Sequence, residues 1–286
     1  MKPLSECVIT VVGLGLMGGS LAGALRGHCD EVIGVDCDAQ VVDEALARGF
    51  VDRAGVDLEQ AVRAADVVVL ATPVRTIIAL VEAVGPWLKP GALLMDVGST
   101  KARILDAMAT LPAQVQALGG HPMCGKEISG IGAADPDLFR QRTFILSPLE
   151  RTSEAALELG TQLVHAVGAT PLVVDAERQD YLVGTLSHLP YLLACALVST
   201  ADATTSSDPL VWQIVAGGFR DTSRVAGSDV SMMVDILMTN RAEVVNAARI
   251  CETHLGRLRS LIEAGDERRL RAALEYIRET RKEMYP

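Results

Sequence analysis

Short apolar runs alternate with segments of helical periodicity through the first half of the chain. Runs rich in β-branched residues predict strands at 8–12, 31–35, 66–71, 93–97, 143–146 and 171–174. Apolar residues at helical spacing predict helices at 16–25, 39–48, 58–64, 76–84 and 101–110. The run DVVVLA at 66–71 is apolar nearly throughout, as in a strand that is covered on both faces. This alternation predicts an α/β fold with a doubly wound, mostly parallel sheet.

Beyond residue 174 the strand signals disappear. Segments rich in Ala and Leu predict helices at 178–200, 209–215, 231–261 and 267–283. We therefore expect two domains, a Rossmann-type dinucleotide-binding domain at 1–174 and an all-α domain at 175–286. An all-α domain with this much apolar surface often lacks a self-sufficient core, and a second copy would cover it. We expect a homodimer that forms through the helical domain.

Three glycines follow the first predicted strand in G-x-G-x-x-G spacing, at Gly13, Gly15 and Gly18. The first permits a tight turn, the second lets a pyrophosphate approach the backbone, and the third allows the helix to pack closely on the strand. Free N–H groups and the helix dipole then face the phosphates. The alternatives are a turn that binds nothing and a signal peptide. The order strand, glycines, helix, strand and acid argues against the first, and Glu6 and the glycine spacing argue against the second.

Asp36 ends the second predicted strand, about where an acidic residue accepts the ribose hydroxyls of a dinucleotide. Its carboxylate would repel a 2′-phosphate, and residues 37–39 contain no Arg, so we expect NAD rather than NADP. Further cofactor contacts are expected within the glycine motif and at later strand ends, from Leu16, Met17, Thr72, Pro73 and Ser99.

Composition narrows the class of protein. The net charge of -10 argues against nucleic acid as a partner, and an anionic substrate would need a locally basic pocket. Six cysteines without a C-x-x-C pair indicate no disulfide framework and no metal site, which is typical of the reducing cytoplasm. No apolar run has the length of a membrane span, since the stretch at 191–198 is too short.

Four further segments carry candidate chemistry: D-V-G-S-T-K at 96–101, H-P-M-C-G-K-E at 121–127, S-H-L-P at 187–190 and G-G-F-R-D-T-S-R at 217–224. The first lies at the carboxyl end of a predicted strand, where ligands bind in open α/β sheets. The second reads as a loop framed by glycine and proline. Together with G-L-G-L-M-G-G at 13–19, these segments resemble the motifs of the prephenate/arogenate dehydrogenase family of tyrosine biosynthesis, in the family's order. No regulatory or mutase domain is appended, so a monofunctional form is expected.

This resemblance implies an NAD-dependent oxidative decarboxylation of a small dianionic substrate. In prephenate, hydride leaves C4 for the nicotinamide while the proton of the C4 hydroxyl goes to a base. Loss of carbon dioxide then makes the ring aromatic and gives 4-hydroxyphenylpyruvate. The protein must supply a neutral imidazole, hydrogen-bond donors beside the nicotinamide and a cation for a carboxylate.

The base candidate is His121, because a His with an ordinary pKa is mostly neutral at pH 7. Ser99 could bridge nicotinamide, substrate and His121, could cap a helix, or could do both. Arg224 is the candidate carboxylate clamp, since a guanidinium binds a carboxylate through two parallel hydrogen bonds. Arg220, one helical turn away, could share its face, although either arginine could instead form an exposed salt bridge, for example with Asp221.

The resemblance places His188 near the substrate, although His188 could instead be a buried structural residue bonded to backbone. It also implies that Glu127 occupies a position that gates the pocket in some relatives. Tyr191, one helical turn after His188, faces the same side and could contribute. For Lys101 a surface position on a first helical turn is the main expectation, and for Cys124 it is packing in a loop. Many relatives carry an aromatic residue near Met233. This departure leaves the choice between prephenate and arogenate open.

Two other classes of protein remain as alternatives. β-Hydroxyacid dehydrogenases and pyrroline-carboxylate reductases share the glycine motif and a helical second domain, but the segments at 121–127 and 217–224 argue against them. A non-catalytic NAD sensor would need the fold without His121, Ser99 and Arg224 together.

Overall fold

The computed structural model describes residues 1–126, 128–205 and 208–284. Within these ranges, eight strands form one sheet: β1 (Val8–Val12), β2 (Glu31–Val35), β3 (Arg53–Gly55), β4 (Val67–Leu70), β5 (Leu93–Asp96), β6 (Gln116–Pro122), β7 (Thr143–Pro148) and β8 (Thr170–Val173). Their order is β3-β2-β1-β4-β5-β6-β7-β8. Neighbouring strands are parallel except for β6 and β7. The predicted mostly parallel, doubly wound sheet is confirmed.

Helices connect most of the strands, and they predominate among the described residues that follow β8. The helices between strands are α1 (Leu16–Leu25), α2 (Ala39–Ala47), α3 (Leu58–Ala64), α4 (Val74–Val84), α5 (Ala102–Ala109) and α6 (Glu154–Ala166). The later helices are α7 (Ala176–Val183), α8 (Leu189–Thr205), α9 (Gly217–Ser223), α10 (Val230–Thr239), α11 (Arg241–Glu263) and α12 (Glu267–Met284). The helical C-terminal region predicted from the sequence is therefore confirmed.

Each face of the sheet carries its own apolar cluster. Val69 of β4 lies in the first cluster with Leu21 of α1, and Val68 lies in the second with Ile77 of α4. All four of these side chains are buried. Because successive residues of a strand point to opposite faces, a strand between two helical layers must be apolar at every position. This explains the continuous apolar run at 66–71.

β6 corrects the prediction that residues 121–127 begin as a loop. His121 and Pro122 are the last residues of a strand that pairs with β5 on one side and β7 on the other. Gly119 and Gly120 allow β6 to lie close to its two neighbouring strands. A Cβ at Gly120, for example, would lie 2.5 Å from the Asp96 carbonyl oxygen. The two glycines that suggest a loop in the sequence are here required by tight packing within the sheet.

Two other elements were not expected from the sequence. The short strand β3 pairs with β2 at the edge of the sheet, where few apolar residues are needed. The helix α6 follows Ser153, whose hydroxyl accepts a hydrogen bond from the backbone N–H of Ala156 at 3.2 Å. This is an ordinary N-cap.

α7 and α8 are joined by a π-helical turn, Gly184–His188, into one helical run, Ala176–Thr205. An 18-residue window of this run has a mean hydropathy of 1.6, and the run is long enough to cross a membrane. The apolar helix therefore extends beyond the stretch at 191–198 that the sequence indicated. It nevertheless contains Gln179, Asp180 and His188, which are buried and hydrogen-bonded. Buried polar groups of this kind normally have hydrogen-bond partners, as they do here.

The chain divides into two compact units, Met1–Asn240 and Arg241–Pro286, and α11 packs against α12 in the second. The single helix predicted at 231–261 is wrong, because the backbone leaves helical geometry at Asn240. The helix predicted at 209–215 is a 3-10 turn, Pro209–Gln213. The predicted domain boundary after residue 174 stays a prediction.

Candidate active site

The loop between β1 and α1 has the backbone geometry of a phosphate-binding turn. Gly13 has a φ of +89°, and a Cβ there would lie 2.7 Å from Cγ2 of Thr72. A Cβ on Gly18 would overlap the Gly13 carbonyl oxygen. By contrast, an ideal Cβ on Gly15 would meet no atom of the described residues within 4 Å, apart from its chain neighbours. The first and third glycines are thus needed by the fold, and the second faces open space.

The start of α1 is suited to an anion. Its first turn contains no acidic residue among those described, so the helix dipole is not neutralised there. Beside this turn, Thr72 Oγ1 is the buried side-chain polar atom that, in the described part of the chain, has no hydrogen-bond partner. An open Gly15, free helix N–H groups and an unpaired buried hydroxyl together fit a dinucleotide pyrophosphate.

Asp36 lies half-buried directly after β2 and is held by the glycine loop. Its Oδ2 accepts from the backbone N–H of Leu14 at 2.8 Å, and its Oδ1 accepts from that of Asp38 at 3.1 Å. The carboxylate is therefore fixed at the carboxyl end of the strand. The other predicted cofactor contacts lie around the same edge: Leu16, Met17, Thr72 and Ser99 are half-buried, and Pro73 is exposed at the start of α4.

Lys101 is fully buried and paired with Asp96, which is also fully buried, so its predicted surface position is wrong. The carboxylate of Asp96 also accepts from the backbone N–H groups of Gly98 at 2.7 Å and Gly120 at 3.3 Å. Burial raises the pKa of Asp96 and lowers the pKa of Lys101, while their mutual attraction opposes both shifts. This ion pair joins the end of β5 to β6, one residue before His121.

The start of α5 is capped by a residue from α7. Asp180 accepts from the backbone N–H of Lys101 at 2.7 Å and from that of Ala102 at 2.9 Å. The helix therefore begins at Ala102, and Ser99 is not its N-cap. The expected alternative role of Ser99 as a cap is wrong, and its half-buried side chain lies between β5 and α5.

His121 lies half-buried at the end of β6, at the same sheet edge as the ends of β1 and β5. Its Nδ1 is 3.2 Å from Nε2 of Gln179. Burial lowers the pKa of His121 from 6.5 to about 3, and the charges of Lys101 and His188 add to this effect. The imidazole is therefore neutral at pH 7.

His188 is buried in the π-helical turn, with Nδ1 3.2 Å from Nδ2 of Asn240. Its partner is thus a side chain, whereas the structural alternative considered from the sequence had His188 bonded to backbone. Asn240 also donates to the carbonyl of Asp180 at 2.7 Å. Burial lowers the pKa of His188 to about 4. Tyr191 packs against the second apolar cluster. Burial raises the pKa of Tyr191, and a hydrogen bond with Cys195 adds to this shift.

The other candidates lie on less enclosed parts of the first unit. Arg220 is exposed on α9, and Arg224 is exposed at the start of the 3-10 turn Arg224–Gly227. Glu127 lies outside the described residues. Cys124 packs against the first apolar cluster, and burial raises its pKa to about 11, as for a packing residue rather than a nucleophile. Met233 is buried in the second cluster.

Hydrogen bonds and close charges connect Asp96, Lys101, His121 and His188 into one site. Three further residues belong to this network and were not identified from the sequence: Gln179, Asp180 and Asn240. The signal for the first two was the polar pair Q-D inside a helical segment, and the signal for Asn240 was a helix-breaking residue between two helical patterns. None of these signals identifies a partner far away in sequence.

Comparison with known proteins gives two family matches. "Prephenate dehydrogenase, nucleotide-binding domain" matches residues 21–173, and "Prephenate dehydrogenase, dimerization domain" matches residues 175–276. The chain is 33% identical to a prephenate dehydrogenase of Bacillus subtilis over 92% of this chain and 72% of the relative.

Two solved structures have the same architecture over nearly the whole chain. Prephenate dehydrogenase of Aquifex aeolicus, in complex with hydroxyphenyl propionate and NAD+, is 31% identical with a TM-score of 0.91 and covers 99% of this chain and 100% of that one. Arogenate dehydrogenase of Synechocystis is 30% identical with a TM-score of 0.84, over 97% of this chain and 99% of that one.

Proposed function

Because the chain belongs to the prephenate dehydrogenase family, we propose that its site oxidises and decarboxylates prephenate with NAD, giving 4-hydroxyphenylpyruvate. The observation that carries the proposal is a neutral, half-buried His121 at the carboxyl edge of the sheet that also holds the glycine turn. β6 lies three strand spacings from β1, roughly 14 Å, a distance that an extended dinucleotide spans.

The cofactor side of the proposal is supported by the residues around the glycine turn. Gly15, the start of α1 and Thr72 Oγ1 would hold the pyrophosphate, and Asp36 would accept the ribose hydroxyls. The carboxylate of Asp36 disfavours a 2′-phosphate, which is why we propose NAD rather than NADP. When bound, NAD supplies the acceptor for the hydride that leaves C4. Ser99, Leu16, Met17 and Pro73 complete the proposed contacts.

His121 takes the proton of the C4 hydroxyl in this mechanism. With a pKa of about 3, the free imidazole is a weak base. A dianionic substrate bound beside the ring favours the imidazolium and raises that pKa, so basicity increases when substrate arrives. As the carbon–carboxylate bond breaks, its electrons enter the ring and carbon dioxide leaves. The aromatic product makes the step effectively irreversible.

The substrate carboxylates need cations, because the protein carries a net charge of -10. We assign Arg224 as the clamp and Arg220 as a second cation one turn away, with His188, Tyr191 and Glu127 lining the substrate. Arogenate is the second candidate substrate, supported by the similarity to the Synechocystis enzyme. It differs only at the side chain, and the same arginines would serve it.

The proposed assembly is a homodimer in the cytoplasm with two domains that meet near residue 174. Support comes from apolar side chains exposed on the helical region: Met238, Val245, Ile250, Leu255, Ile262, Leu274 and Ile277. The family description of residues 175–276 as a dimerization domain agrees with this. A partner surface would remove these side chains from water. We propose no membrane and no nucleic acid as partners.

The test is absorbance at 340 nm with NAD and either prephenate or arogenate. We expect turnover by the wild type and a loss of at least about 100-fold in kcat for His121→Asn. Full turnover by His121→Asn would refute the base assignment. NAD binding without turnover of either substrate would instead favour the non-catalytic sensor.

A further inference from the structure

Gln179 is a fully buried polar side chain placed between His121 and Ser147. Its Nε2 lies 3.2 Å from His121 Nδ1, and its Oε1 lies 3.4 Å from Oγ of Ser147. Ser147 is itself fully buried on β7, opposite Gly119 in the antiparallel ladder with β6. The two strands and α7 therefore fix the amide against the ring.

A neutral imidazole carries one N–H, and the partner of one ring nitrogen decides which nitrogen is free. If His121 is to take a proton at Nε2, the hydrogen must sit on Nδ1 and needs an acceptor there. Rotation of the Gln179 amide by 180° exchanges its nitrogen and oxygen and keeps both contacts. Ser147 accommodates either orientation, because a hydroxyl both donates and accepts.

We propose that Gln179 is a positioning residue that turns its Oε1 to His121 Nδ1–H and so leaves the Nε2 lone pair for the substrate hydroxyl. This rests on the proposed function of His121 as the base. The same carbonyl faces the imidazolium once the proton has arrived. With the amide nitrogen toward the ring, two N–H groups would then oppose each other.

An amide suits this position because charged groups already surround it. Lys101 and Asp96 lie at the corner of β5 and α5, and Asp180 is next to Gln179 on α7. A carboxylate in place of the amide would attract a proton to His121 before substrate binds. A neutral acceptor fixes the tautomer and leaves the ring uncharged.

The kinetic test uses Gln179→Met, which keeps the length and loses both hydrogen bonds, and Gln179→Glu, which keeps an acceptor. We expect Gln179→Met to lower kcat by about 10- to 100-fold and to change KM for prephenate little. Gln179→Glu should recover much of this loss at high pH, with the acidic limb of its pH profile moved to higher pH. The control is Thr10→Val, which removes a buried hydrogen bond to Ala61 elsewhere in the sheet.

A purely structural role predicts that both Gln179 variants lose activity alike, with the acidic limb unmoved. That result would overturn the proposal, as would wild-type kcat and pH profile in Gln179→Met.

A second measurement reads the tautomer without turnover. Nitrogen-15 NMR of histidine-labelled wild-type protein with NAD resolves the ring nitrogens, and His121→Asn assigns the signals by their disappearance. We expect a protonated Nδ1 and an unprotonated Nε2 in His121. The opposite pattern would overturn the role of Gln179 even in an active enzyme. The expected pattern in a protein that turns over neither substrate would count against the proposed function and leave the role of Gln179 standing.

Discussion

Lys101 and Asp96 form an ion pair in which neither side chain is exposed to solvent. Removing one partner leaves an uncompensated buried charge, so Lys101→Met should lower the free energy of unfolding by about 3–5 kcal/mol. Urea denaturation measures this. The double variant Asp96→Asn with Lys101→Met removes the charge and keeps an acceptor for the backbone N–H of Gly98, so it should be less destabilised than Lys101→Met alone. Equal or greater destabilisation of the double variant would show that the pair itself, rather than the orphaned charge, matters.

Substitutions at two glycines of the turn should have different effects, one on NAD binding and the other on thermal stability. Gly15→Ala adds a methyl group in open space, so we expect NAD to bind at least about tenfold more weakly with little change in Tm. Gly18→Ala places a methyl group on the Gly13 carbonyl and should lower Tm instead. Fluorescence titration with NAD and thermal denaturation of both variants test this contrast. Equal effects on Tm would contradict it.

Acid should destabilise the fold through His188. Its pKa is about 4 in the folded state and 6.5 when exposed, so the unfolded chain binds more protons in between. The contribution of neutral His188 to the free energy of unfolding is therefore complete above pH 6.5. It is lost as the pH drops toward 4, by on the order of 3 kcal/mol. His188→Gln should flatten this dependence in urea denaturation at several pH values. His254→Gln, at an exposed position, is the control and should leave the slope as it is.

Arg224→Ala should raise KM for prephenate by at least about tenfold, because a carboxylate would lose its charged partner. Arg224→Lys should restore only part of this, since an ammonium group lacks the planar fork. Initial rates at saturating NAD measure both. Arg220→Ala is the matched comparison and should have the smaller effect. An unchanged KM in Arg224→Ala would refute the assignment of Arg224 as the carboxylate clamp.

Cofactor choice should depend on Asp36. Asp36→Ser with Ala39→Arg removes the charge that opposes a 2′-phosphate and adds one that attracts it. The ratio of kcat/KM for NADP to that for NAD should rise by at least about tenfold. A ratio equal to that of the wild type would mean that other groups select the cofactor.

Periodicity predicted the elements that are defined by their own residues, such as β1, the glycine turn and α1. β6 was not predicted, because Gln116–Pro122 contains two glycines and a proline. Its extended conformation depends on pairing with the two neighbouring strands. The burial of Lys101 depends on Asp96 of the preceding strand, which the sequence alone does not pair with it. Gln179 lies 58 residues from His121, so its partner could not be inferred from local pattern.

The cap on α5 has a consequence for how this architecture can be rebuilt. The two family segments meet between residues 173 and 175, yet the first amides of α5 depend on Asp180 from the far side of that junction. A chimaera could join this nucleotide-binding part to the helical part of another enzyme. The backbone N–H groups of Lys101 and Ala102 would then lose their acceptor, unless the new helices place another acceptor at the position of Asp180. The junction therefore separates the two segments in sequence but not in structure. A replacement helical part should carry an acidic residue at the position of Asp180 in α7.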